Sequence, residues 1–103
     1  MTHKDIYLEL VRRIDMQVEE IKTEIREICD KHKDDANNSG HLVTITETLL
    51  SDKKSNFIDD YKFTCGIEEL IGTDYNKKAS DYISESIYKV MNYHQEYSES
   101  LYH

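Results

Sequence analysis

An all-α fold is predicted for this chain: two long amphipathic helices packed as a hairpin or bundle, joined by a short middle segment. Three observations predict it. Both terminal thirds are free of Gly and Pro, both repeat apolar residues at helical spacing, and a polar cluster separates the first pattern from the middle segment. With 103 residues, positions 1–103 form a single helical domain whose core is thin for its surface.

The first helix is expected over about 5–33. Tyr7, Val11, Ile14, Val18, Ile21, Ile25 and Ile28 recur at spacings of 4, 3, 4, 3, 4 and 3, a heptad-like stripe that packs lengthwise on other helices. Such a helix is on the order of 40 Å long at ~1.5 Å per residue. Val11, Ile14, Val18, Ile21, Ile25 and Ile28 are therefore expected to form the seam of a coiled-coil oligomer, and β-branched residues at both seam positions favour more than two strands. Ile6 and Leu10 widen the stripe at its start, and Cys29 and His32 join it at its end. Leu8 and Met16 fall off it.

The segment from Lys33 to Gly40 is polar and ends in Gly, which is expected to stop the helix and turn the chain. Residues 41–72 form the middle segment, and over about 42–67 two readings compete. As strands, Val43, Ile45 and Leu49 alternate with Thr44, Thr46 and Thr48, and Tyr61, Phe63, Cys65 and Ile67 alternate with Lys62, Thr64 and Gly66, giving a β-hairpin. As short helices, Thr44 and Glu47 form a capping box, Leu42, Ile45 and Leu49 share a face, and Ile67–Ile71 is a further turn closed by Gly72. Short helices are the preferred reading, because an isolated hairpin needs a packed face to support it.

The last helix is expected over about 75–101, entered from Thr73-Asp74. At about 100° per residue, Ala79, Ile83, Ile87, Val90, Met91 and Leu101 fall on one face. Six of the chain's 8 tyrosines lie here. Tyr75, Tyr82, Tyr93 and Tyr97 line one border of the apolar face, and they are the expected partner contacts, since tyrosine gives large contact area at low entropy cost. The same positions also suit tyrosines that simply pack the ring inward and keep the hydroxyl wet.

Composition narrows the function. The net charge is −8, from 13 Lys/Arg against 21 Asp/Glu, and acidic residues outnumber basic ones in residues 1–35, 36–74 and 75–103 alike. No basic stripe exists to neutralise phosphates, so direct nucleic-acid binding and docking on anionic lipid are not expected; a protein partner with a basic or mixed surface is. No stretch reads as a signal peptide or a membrane span, and two cysteines make no disulfide framework, so a cytoplasmic protein with reduced thiols is expected. The lack of Pro and Trp and the abundance of Lys, Ile, Asn and Tyr suit an AT-rich phage or viral genome.

Catalytic and metal motifs are missing from the sequence. The 3 glycines, Gly40, Gly66 and Gly72, match no phosphate loop. Cys29 and His32 stand on adjacent helical turns, but a structural zinc needs four ligands, and Cys65, His41 and His94 are scattered. His94 falls on the apolar face and reads as a core histidine. Acidic doublets at Glu19-Glu20, Asp34-Asp35, Asp59-Asp60 and Glu68-Glu69 read as solvated surface.

The expectation is a non-enzymatic, acidic helical interaction protein without cofactor or metal, an oligomeric inhibitor or adaptor that occupies a surface of another protein. Two alternatives compete with it: an acidic DNA mimic that blocks a nucleic-acid-binding protein, and a nucleotide-binding or enzymatic site assembled between protomers.

Overall fold

The computed structural model describes the backbone of residues 2–64 and 67–102 and the side chains of residues 2–51 and 68–102. Three helices, α1 (His3–His32), α2 (Ser39–Thr64) and α3 (Asp74–Ser100), and a 3-10 turn over Ile67–Leu70 account for nearly all of it. No strand occurs among the described residues. The fold is all-α, as predicted, and the molecule is a slim rod of 50 × 21 × 17 Å.

Helix α1 begins two residues before the predicted boundary because Thr2 caps it. The Thr2 hydroxyl accepts from the Asp5 amide at 3.1 Å, and the Asp5 carboxylate accepts from the Thr2 amide at 3.1 Å, a reciprocal capping box that satisfies two terminal donors. Lys31 and His32 close the helix in its last turn, where positive charge suits the dipole.

Gly40 does not stop α1; it lies in the first turn of α2. Asn38 begins that helix, its Oδ1 accepting from the His41 amide at 2.8 Å, while His41 Nδ1 accepts from the Asn37 amide at 3.3 Å. A Cβ on residue 40 would stand 3.3 Å from Asn38 Oδ1, so the glycine gives the cap room.

The middle is neither a hairpin nor a set of short helices: a single helix of 26 residues runs through most of it. The threonines that alternate like a strand are accommodated instead by back-bonding. Thr44, Thr46 and Thr48 donate to the carbonyls of Gly40, Leu42 and Thr44 at 3.1, 2.9 and 3.0 Å. Leu42, Thr46 and Leu50, spaced by four, are then fully buried on one side. Thr44 and Glu47 lie inside the helix, not at its start as the capping-box reading expected. Of the hairpin's second strand, Cys65 and Gly66 lie outside the described residues, as do the side chains of Tyr61, Phe63 and Ile67 and those of the acidic doublet Asp59-Asp60.

The 3-10 turn tucks Leu70 into the end of the core, and Gly72 turns the chain at φ 83°, a backbone that L side chains rarely adopt. Thr73 then caps α3, its hydroxyl accepting from the Tyr75 amide at 3.3 Å.

Helices α1 and α3 run parallel. Side chains that bond across them keep a nearly constant separation in sequence: Asp15 with Tyr82, Arg26 with Tyr93, Asp30 with Tyr97 and Cys29 with Ser98. Helix α2 runs the other way, bringing Thr46 to His94 while Ala36, just before it, meets Tyr102. The long α2 is what returns the chain to its starting end.

The core draws on all three helices: Ile6, Leu10, Ile14, Val18, Ile21, Ile25 and Cys29 of α1, Leu42 and Leu50 of α2, Leu70, and Ala79 and Val90 of α3. Four of the six residues assigned to an oligomer seam, Ile14, Val18, Ile21 and Ile25, are thus buried within the chain itself, and Val11 and Ile28 are half-buried. The buried strip advances by four at both ends rather than alternating three and four. Two neighbours, α2 and α3, cover α1 from different sides, so the strip drifts around the helix instead of holding one seam.

Candidate functional site

The tyrosine row lies across the join of α1 and α3. Tyr75 packs its ring on Tyr7 with centroids 5.5 Å apart and under Lys78, whose ammonium is 5.1 Å from the ring centre. Tyr82 donates its hydroxyl to Asp15, and Tyr97 donates to Asp30 at 2.9 Å. Tyr93 accepts from Arg26 at 2.8 Å and stacks on Tyr97 at 5.9 Å. Tyr102, outside the row, donates to the carbonyls of Lys33 and Ala36. The carboxylates hold the phenol protons: the bond to Asp15 pushes Tyr82 up to about 12, and burial, then the bond to Asp30, raises Tyr97. All four rings are half-buried; α1 binds the hydroxyls of Tyr82, Tyr93 and Tyr97 and the ring of Tyr75, so the row fastens one helix to another.

A second constellation is internal. His94, only 2% exposed, meets Thr46, which is fully buried. The Thr46 hydroxyl is also within reach of the Leu42 carbonyl at 2.9 Å, so it ties the His94 ring to the backbone of α2. One turn on, Ser98 donates to the His94 carbonyl at 2.8 Å and lies 3.5 Å from the Cys29 thiol. Ser86 is buried on the same side of α3. The sequence signal for this row was the spacing of Ser86, Val90, His94 and Ser98 by four, hidden because three of them are polar.

These residues resemble the pairs that activate a nucleophile, yet they are laid out as a satisfied core. Thr46, Ser98 and Cys29 are fully buried, and both hydroxyls return to carbonyls of their own helix, so a substrate has no approach to them.

The opening to solvent lies just outside. Between α2 and α3 runs a groove of about 200 Å³ lined by Val43, Glu47, Tyr88, Met91, Asn92 and Gln95, with an edge of His94 at its base. A second depression of about 230 Å³ adjoins it through Asn92 and Gln95 and is edged by Glu96 and Glu99. Tyr88 is 67% exposed and Met91 49%, although the sequence pattern places Met91 on the inner face. The reason is rotation: α3 turns Ser86, Val90, His94 and Ser98 to the middle, which carries Met91 toward the rim. Position 88 falls outside the tyrosine row, and its exposure was not legible from spacing.

Among the described residues the other exposed apolar side chains are dispersed. Leu8 and Met16 stand two turns apart on the outside of α1 with Arg12 between them, its guanidinium 3.3 Å from the Met16 sulfur. Leu49 and Ile71 are exposed elsewhere.

Cys29 and His32 do not converge: the thiol is buried and free, whereas His32 Nδ1 lies 3.5 Å from Asp35 Oδ2. Cys65 lies outside the described residues. Among the described residues no three His, Cys, Asp or Glu side chains come together as a metal would require, and no helix is long and apolar enough to cross a membrane.

Compared with known protein families, with curated proteins and with solved structures, the chain matches none. Its function has to be read from the geometry.

Proposed function

We propose that this chain is a non-enzymatic interaction protein, an inhibitor or adaptor that occupies a surface of another protein, and that its contact face is the groove between α2 and α3. The observation that carries this reading is Tyr88 and Met91, large apolar side chains 67% and 49% exposed beside one groove. Tyrosine is enriched among residues that dominate binding energy, and methionine adapts its shape to a partner. The tyrosine row offers a partner less, since the hydroxyls of Tyr82, Tyr93 and Tyr97 are engaged by α1 and Tyr75 packs on Tyr7.

An oligomer built on the α1 strip would require the bundle to open, because that strip supplies seven of the twelve core residues among the described ones. The non-enzymatic reading is supported by the burial of Thr46, Ser98 and Cys29. Acidic residues over basic ones make a partner with a basic or mixed surface the electrostatic match.

A photo-crosslinking residue at Gln95 tests the face against one at Glu20, on the exposed side of α1. In extract of the native host, a discrete adduct is expected from position 95, absent from position 20 and lost in the Tyr88→Ser/Met91→Ser variant. Equal adducts from both positions, or an adduct indifferent to the two substitutions, would overturn the assignment.

A further inference from the structure

We infer that the α2/α3 groove receives a basic amphipathic helix from its partner. The inference rests on the reading of that face as protein-binding and adds the chemistry of what binds. Tyr88, Met91 and Gln95 stand at i, i+3 and i+7 on α3, so they form a row about 10 Å long at ~1.5 Å per residue. Val43 faces them from α2 across the groove. A row of that length matches two or three apolar anchors on one face of a helix, the form in which helices bind in grooves.

Charge selects the kind of helix. Among the described residues, the charged side chains that line the two adjoining depressions are Glu47, Glu96 and Glu99, all acidic. A depression edged by one sign of charge attracts the opposite sign. Lys and Arg flanking the apolar anchors complement this rim, and their stems add apolar cover to Tyr88 and Met91. A second copy of the chain is disfavoured, because its own acidic rim would be set against this one in a molecule of charge −8. A small molecule is also a poorer occupant, because both depressions are open to solvent and would bury less of a ligand than an enclosing pocket does.

The test is titration of the full chain with a synthetic peptide of about 18 residues, with Leu at i, i+3, i+4 and i+7 and Lys on its other face. Two controls accompany it: the same composition scrambled, and a version with each Lys replaced by Glu. Expected are saturable binding of the first peptide, amide shift changes centred on Val43, Tyr88, Met91 and Gln95, and affinity lowered at least about tenfold by Tyr88→Ser/Met91→Ser. Equal binding by the scrambled peptide, or shift changes centred on the Leu8–Met16 side of α1, would overturn the inference. If no peptide binds while the position-95 adduct persists, the basic-helix chemistry fails and the contact face stands. Loss of the adduct specificity as well removes both.

Discussion

Thr46 and His94 meet in the buried interior of the bundle, and a buried polar group deprived of its hydrogen-bond partner loses more than an average hydrogen bond contributes. Thr46→Val keeps the shape and removes the partner of His94, so it is expected to destabilise by about 1–3 kcal/mol in urea denaturation. Ser98→Ala is expected to change stability by under about 1 kcal/mol, because its hydroxyl serves a carbonyl of its own helix. The opposite order of effects would mean that the His94 contact contributes little. The tyrosines give a pH dependence of definite sign. Tyr82 is pushed from 10.0 up to about 12, so between those values the native state keeps a proton that the unfolded chain has released. Its stabilisation is complete below pH 10 and is lost as pH rises toward 12, with Tyr97 acting in the same direction. Tyr82→Phe should flatten that decline in the melting temperature, whereas an unchanged slope would show that the Asp15 bond does not hold the proton.

At the scale of elements, the helix boundaries rest on local devices that substitution can probe one by one. Gly72 sits at φ 83°, where a Cβ meets no neighbour but the backbone itself disfavours an L side chain. Gly72→Ala should therefore cost about 1–2 kcal/mol. Gly40 is the reverse case. A methyl there favours the helix by ~1 kcal/mol but crowds Asn38 Oδ1, so Gly40→Ala should stabilise more in an Asn38→Ala background than in the native chain. Thermal melts of the four proteins in that cycle measure the coupling, and strict additivity would show that the cap does not need the glycine. The Thr2 and Asp5 box escaped the boundary expected at residue 5 because its anchoring residue precedes the apolar pattern. Helix α2 escaped for a different reason: three threonines at alternate positions carry the same period-two signal whether they lie in a strand or bond back to carbonyls four residues earlier.

For the whole molecule, a rod only 21 × 17 Å across has few layers of side chains, and its core depends on a small number of aliphatics. Ile14 and Ile25 are fully buried on α1. Truncating either to Ala should cost about 2–5 kcal/mol, a large part of the ~5–15 kcal/mol typical of a domain. Met91→Ser, on the open groove, should stay within about 0.5 kcal/mol while weakening partner binding. Chemical denaturation of the three variants separates the inner strip from the outer face, and a large loss of stability from Met91→Ser would place that residue in the core.

Local sequence was enough to make both terminal thirds helical, to set roughly where each begins and ends, to send His94 inside and to leave the surface acidic. Capping, periodicity and charge act over a few residues or need no contacts at all. Packing in three dimensions was needed to run α1 and α3 parallel, to bond the tyrosines of α3 to Asp15, Arg26 and Asp30, and to leave Tyr88 and Met91 facing water. An amphipathic pattern specifies a broad stripe, not the rotation of a helix between two neighbours. That rotation depends on pairings between residues 48 to 69 positions apart, such as Thr46 with His94 and Cys29 with Ser98, which no local spacing encodes.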